Sequence, residues 1–187
     1  MTVSSRVDRL ETDRLLLERL RPEHASELSI LLRDPRVART LTADGGPPSE
    51  AELTAGLTDK IRHWERHGFG LWLLRERSTG TMVGRGGLQY TFVGGREEIE
   101  VAWAIVPERW GQGLATELAL ASVMVAFNDL GLDEIVAFTL PDNIASRRVI
   151  EKSGFSYERE LVHVGLDHVL YRRRATDGGR VVQAGPS

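Results

Sequence analysis

The apolar positions change period several times along the chain, and these changes predict its elements. Arg14 to Leu20 (RLLLERL) reads as a first strand. Pro22 then stands at a helix start, with Ala25, Leu28, Ile30, Leu31 and Leu32 at helical spacing behind it. Asp34-Pro35 has the form of an N-cap followed by proline at the first helical position. Ser49-x-x-Glu52 is a capping box, and it opens a longer helix whose apolar residues Leu53, Leu57, Ile61 and Trp64 share one face. The stretch before it, Asp44-Gly45-Gly46-Pro47-Pro48, fits only a loop.

From Phe69 the pattern shifts to short apolar runs: Leu71 to Arg75, Met82 to Tyr90 and Glu97 to Val106, parted by Ser78-Thr79-Gly80 and Gly94-Gly95. This predicts an antiparallel meander of three strands. Leu114 to Leu130 returns to helical spacing through Leu114, Leu118, Ala121 and Val125, and Ala119, Met124 and Phe127 widen its apolar surface. That helix should lie mostly buried against the sheet. A strand over Glu134 to Leu140, a helix from Ile144 to Ser153 stopped by Gly154, and a hairpin of Phe155 to His163 and Asp167 to Arg173 turning at Gly165 complete the chain.

The predicted order is β-α-α-β-β-β-α-β-α-β-β. The strand, helix and strand running through Val106 to Leu140 set two strands parallel inside an otherwise mainly antiparallel sheet. The fold class is therefore α/β, a single mixed domain with helices flanking the sheet. The working unit is residues 10–174, and residues 175–187, rich in glycine, read as a flexible C-terminal tail.

Composition narrows the function. At 187 residues the chain fits one core, since such cores serve about 100–200 residues. With 41% hydrophobic and 27% charged residues it should pack like an ordinary globular protein. Charges interrupt Met1 to Arg21, which excludes a secretory signal there, and no apolar run approaches the roughly 20 residues of a membrane span. A cytoplasmic protein with no membrane partner is expected. The absence of cysteine excludes disulfides, zinc thiolates and a cysteine nucleophile. A net charge of -3, with aromatics not interleaved among basic residues, argues against a nucleic-acid partner.

Several other signals have plainer readings. The run Arg172-Arg173-Arg174 reads as a solvated strand edge. His63 and His67 stand at i, i+4, but Trp64 occupies the position of a metalloprotease glutamate and no third ligand is evident, so no metal site is expected. Trp64, Trp72, Trp103 and Trp110 fit core or cleft walls, and Arg109, Arg147 and Arg148 fit solvated surface.

The segment Val106-Pro107-Glu108-Arg109-Trp110-Gly111-Gln112-Gly113-Leu114-Ala115-Thr116-Glu117 runs from a strand end through a glycine turn into an apolar helix. A helix start offers unpaired N–H groups and about half a positive charge, and glycines let an anion approach the backbone. A lone Gly-x-Gly is more often only a tight turn, but this context favours a pyrophosphate cradle. There is no Gly-Lys-Ser/Thr of a P-loop, and Thr116 stands where a dinucleotide turn takes glycine or alanine.

Trp110-Gly111-Gln112-Gly113-Leu114-Ala115-Thr116-Glu117 resembles the acetyl-CoA motif of the GNAT (Gcn5-related) N-acetyltransferases, in the branch of the ribosomal-protein N-terminal acetyltransferases. Thr12 to Leu17 resembles that branch's opening strand, Glu100 to Ile105 its fourth strand, and Asn143 to Phe155 its closing helix, in the right order. The resemblance implies the acyl-CoA N-acyltransferase fold, with acetyl-CoA as co-substrate. It also implies that backbone groups of Ile105 and Val106 pair with the pantetheine arm, that Trp110, Gly111, Gln112, Gly113, Leu114, Ala115 and Thr116 hold the pyrophosphate, and that Asn143 and Ser146 reach the thiol end. Two positions depart from the wider superfamily: Trp110 stands where glutamine or arginine is common, and Ile150 where a tyrosine often protonates the leaving thiolate. Ser146 is the nearest remaining proton donor in that helix, and equally a helix-start hydrogen-bonding residue.

An alkyl amine is protonated at neutral pH, so its acetylation needs a proton acceptor. Alternation along Glu98 to Ile105 puts Glu98, Glu100, Ala102 and Ala104 on one face. Glu100 thus sits beside small residues, facing solvent, a polar cleft or an arginine, and partial burial would make it a better base. The N–H near Val106 is a candidate oxyanion donor. With no cysteine and no Ser-His-Asp set, direct attack in a ternary complex is the economical mechanism. The acceptor is a protein N-terminus or a small-molecule amine such as an amino acid, polyamine or aminoglycoside, bounded by the loop Thr42 to Ser49 and its flanking helices. A non-catalytic acyl-CoA sensor or partner-binding module is the alternative reading. The last hairpin offers an edge through which a homodimer could form.

Overall fold

The computed structural model describes residues 7–42 and 45–177. Eight strands form one sheet in the order β1-β2-β3-β4-β5-β6-β8-β7. The strands are β1 (Arg9–Glu11), β2 (Leu15–Arg19), β3 (Leu71–Glu76), β4 (Met82–Val93), β5 (Arg96–Ile105), β6 (Glu134–Thr139), β7 (Ser156–His163) and β8 (Leu166–Arg174). Between them lie helices α1 (Ala25–Arg33), α2 (Pro35–Ala38), α3 (Glu50–His67), α4 (Leu114–Met124) and α5 (Ile144–Lys152). All adjacent strands pair antiparallel except β5 and β6, which run parallel as the crossover through α4 requires. The mixed, mainly antiparallel α/β architecture expected from the sequence is the one observed.

Local chemistry explains most boundaries. The Ser49 N–H donates to Glu52 Oε2 at 2.8 Å and the Glu52 N–H to Ser49 Oγ at 3.3 Å, closing the capping box at the start of α3; such caps contribute about 1 kcal/mol. Asp34 caps α2 by accepting from the Arg36 N–H at 2.8 Å. Alternate residues of β3 then serve two layers. Leu71 and Leu73 pack with Leu28 of α1 and Leu57 of α3, whereas Trp72 and Leu74 join the main core with Leu114 and Leu118 of α4.

Five expectations change. β1 is too short to leave a periodic signal, yet it pairs with β2 from Arg9↔Glu18 to Glu11↔Leu16. The helix expected to run to Leu130 is α-helical only to Met124; Val125–Asp129 continues as a π turn, with the Leu130 N–H reaching the Val125 carbonyl at 3.0 Å. Met124, read as part of the apolar surface, is 49% exposed. Arg172 is not on a solvated edge: it is 4% exposed, donating to Glu98 Oε1 at 2.7 Å and Glu134 Oε1 at 2.9 Å and also pairing with Glu158. The run occupies β8, which is covered by β7 and β6 on its two sides, so its first position turns inward. Of the segment expected to be a flexible tail, Ala175–Asp177 forms a 3-10 turn; residues 178–187, and Ala43 and Asp44 of the loop before α3, lie outside the described residues.

Candidate active site

β5 and β6 share a single register pair, Glu100↔Val136, and beyond it they part. The Val106 N–H donates to the Val83 carbonyl of β4 at 2.9 Å. In an antiparallel ladder the bonding groups alternate sides, so the main-chain groups of Trp103 and Ile105 turn toward the gap that opens beside β6. This corrects one expectation: the Val106 amide is engaged with β4 and is not a free oxyanion donor. The Ile105 carbonyl, in turn, accepts from Trp110 Nε1 at 2.7 Å. What the gap retains is the Ile105 N–H and both main-chain groups of Trp103.

Past the 3-10 turn Pro107–Arg109 the chain enters the glycine segment. Gly111 and Gly113 have φ of 74° and 81°, a region where an L side chain is strained by roughly 1–2 kcal/mol. Gly113 is the N-cap of α4 and makes no side-chain cap. Among the described residues the N–H groups from Gly111 to Thr116 have no hydrogen-bond partner. They stand at the positive end of α4, an arrangement suited to a doubly charged phosphate group. Trp110, 46% exposed, flanks this turn with its ring held by the bond to Ile105.

The turn is tied down from a distance. Arg14 donates through Nη1 to the Gln112 carbonyl at 2.7 Å and through Nε to Glu117 Oε2 at 2.7 Å. Glu117 Oε1 also accepts from Thr12 Oγ1 at 2.5 Å and from the Arg14 N–H at 2.8 Å. Burial opposes ionisation of Glu117, but these donors outweigh it and hold its pKa below the ordinary value. Thr12 and Arg14 were legible only as part of an opening strand; their role in bracing the turn needs the fold.

Where β5 and β6 part, a cleft of about 330 Å³ opens, lined by Lys60, Arg85, Gln89, Glu100, Asn143 and Ser146 among others. Glu100, 9% exposed, meets the cleft, and its Oε2 accepts from Gln89 Nε2 at 2.9 Å. Burial pushes its pKa above the ordinary value, against the pull of that hydrogen bond and of nearby Lys60 and Arg85. Of the three environments open to it from sequence, Glu100 takes the polar cleft: no salt bridge to it exists among the described residues. Its strand neighbour Glu98, by contrast, is in the ion-pair cluster with Arg172 and Arg96.

Asn143 is the N-cap of α5, its Oδ1 accepting from the Ser146 N–H at 3.1 Å. This fixes the start of the helix at the cleft and leaves the Ser146 hydroxyl on the lining. Ile150 is buried in the core, so α5 carries no phenol at that turn. Sequence reading missed Lys60, Arg85 and Gln89. The last two share a face of β4 with Gly87, opposite Ala104, Glu100 and Ala102, which strand pairing alone reveals. His63 lies elsewhere, with Nδ1 meeting the Phe69 carbonyl at 2.9 Å and Nε2 accepting from the Tyr90 N–H at 3.0 Å, so both ring nitrogens serve the backbone.

The chain matches the model of the acetyltransferase (GNAT) domain over residues 14–156. It is 29% identical over 152 residues to YoaA of Bacillus subtilis (strain 168), named an uncharacterized N-acetyltransferase, covering 81% of this chain and 85% of that protein. A solved acetyltransferase from Agrobacterium tumefaciens superposes with a TM-score of 0.76 at 24% identity, over 90% of this chain and 95% of that one. RimL, a ribosomal L7/L12 α-N-protein acetyltransferase solved with coenzyme A, has the same fold, with a TM-score of 0.68 at 16% identity over 89% of this chain and 97% of that one. The chain belongs to the GNAT acetyltransferase family and is an acyltransferase. Among the described residues no helix is long and apolar enough to cross a membrane.

Proposed function

We propose that this enzyme transfers the acetyl group of acetyl-CoA directly to a primary amine, both substrates being bound at once. The observation that carries the reading is Glu100, enclosed at the point where β5 and β6 separate and opening on the cleft. Acetyl-CoA supplies the thioester. The unpartnered N–H groups of Gly111 to Thr116 hold its diphosphate, and the Ile105 N–H with the main-chain groups of Trp103 receives the extended arm by main-chain pairing, whereas both main-chain groups of Val106 are taken by Val83 and Arg109. Asn143 and Ser146, at the other wall, border the thiol end.

At the reacting end the incoming ammonium gives a proton to Glu100, whose raised pKa makes it a stronger acceptor than an exposed carboxylate. The free amine forms the new C–N bond as the C–S bond breaks; the second proton shed by the nitrogen passes through the Ser146 hydroxyl, which gives its own proton to the departing sulfur and regains one from the nitrogen. No cysteine is present to carry the acetyl group, which supports direct attack over a covalent acyl-enzyme. Initial rates measured while both acetyl-CoA and an amine are varied should give intersecting lines. Parallel lines would place an acyl-enzyme on the path and overturn the direct mechanism.

A further inference from the structure

Arg85 is a half-buried cation with no task in the reaction above. Its Nε is fully enclosed and has no hydrogen-bond partner, and among the described residues the guanidinium makes no hydrogen bond or salt bridge. A guanidinium presents donors in a planar fork that matches a carboxylate, and enclosing it unsatisfied is costly unless a ligand completes it. Arg85 stands on the same face of β4 as Gln89, the residue that holds Glu100, and lines the same cleft.

Charge narrows what enters. In the cleft Lys60 and Arg85 face a single carboxylate, Glu100; burial lowers the pKa of Lys60, and the guanidinium of Arg85 is the cation that persists. A polyamine or an aminoglycoside would bring several like charges against Arg85. An amine that also bears a carboxylate satisfies both ends: its nitrogen meets Glu100 and its carboxylate meets Arg85. Lys60 and Arg85 also border a second cavity of about 500 Å³ between α1 and α3, where Glu50 and Glu52 stand on the lining with Leu20, Leu28, Leu53 and Leu57. An apolar substituent has room there.

We infer that the acceptor is a small amino carboxylic acid whose carboxylate is bound by Arg85. The inference rests on the transferase reading, and two measurements separate their failures. In the first, calorimetry on the CoA-loaded protein compares N-acetyl-leucine with N-acetyl-leucinamide, with no turnover involved. The acid should bind about ten- to hundredfold more tightly, the worth of a charge-assisted fork, and Arg85→Gln should erase the difference. In the second, kcat/KM is compared for leucine and leucinamide with acetyl-CoA. The acid should be preferred although its amine is the more protonated at neutral pH, and the ratio should fall about ten- to hundredfold in Arg85→Gln and by less in Arg85→Lys. Equal binding of acid and amide by the wild-type protein overturns the inference whether or not the variants fold, as does a preference that survives Arg85→Gln. Selective binding of the acid without turnover of any amine would instead sink the transferase reading and leave the Arg85 site standing.

Discussion

Arg14 Nε lies 2.7 Å from Glu117 Oε2, joining the start of β2 to the first turn of α4 across more than half the sequence. The same guanidinium holds the Gln112 carbonyl, so one side chain fixes both the glycine turn and the helix it opens. A carboxylate in the first turn of a helix is favourable on its own, but here it also competes with a phosphate for the positive end. Tying Glu117 to Arg14 and Thr12 turns its charge inward and leaves the amides of the turn for a ligand.

Breaking this brace should loosen the cofactor site without touching the reacting groups. Arg14→Ala is expected to raise the KM for acetyl-CoA about fivefold, a loss of roughly 1 kcal/mol appropriate to a half-exposed pair, with kcat nearly unchanged. A fall in kcat with unchanged KM would contradict the assignment.

Gly113→Ala tests the turn itself. A Cβ there meets nothing closer than Arg14 Nη2 at 3.5 Å, so the cost comes from the positive φ, about 1–2 kcal/mol, and from the methyl group standing over the amides. Calorimetry should show acetyl-CoA binding weakened by at least tenfold while the protein stays folded. Undiminished binding would mean that the anion sits elsewhere.

These two cases mark what the sequence can and cannot say. The glycine turn, the strand-helix-strand crossover and the alternation that isolates Glu100 are local patterns, so they are readable from the chain. Arg14 with Glu117, and Arg85 with Gln89 beside Glu100, are products of strand register and of contacts across the fold, which no local period encodes. Arg172 shows the opposite failure. Three consecutive arginines suggest a solvated edge, and only the placement of β8 between β6 and β7 turns the first of them into a buried ion-pair centre.

That centre should be a stability determinant. Arg172→Ala leaves Glu98 buried without its main cation, a loss of about 3 kcal/mol, and thermal unfolding should move down by roughly 6–12 °C. Arg172→Met, which removes the charge but fills the space, tests packing against charge and should be as damaging because Glu98 remains. A shift of less than a degree or two in both would show that the cluster contributes little.

Stability should also report the protonation of Glu100. A carboxyl with its folded pKa raised above the unfolded value favours the fold most below the unfolded pKa, and that contribution is lost as pH rises through the folded pKa. Glu100→Gln removes this loss, so the variant should gain stability relative to the wild type as pH rises from the ordinary carboxylate range through the raised pKa of Glu100. The midpoint of chemical denaturation, followed across that range, reads the difference, and a difference that does not change with pH would contradict the burial of an ionisable Glu100.

The most direct test of the account is the pH dependence of kcat/KM for a primary amine, at saturating acetyl-CoA, in the wild type and in Glu100→Gln. The account predicts a rate that falls as pH drops through the raised pKa of Glu100, and a variant slowed by about 10²–10⁴-fold that loses this limb. A Glu100→Gln enzyme with wild-type rates and an unchanged profile between pH 6 and 9 would contradict it.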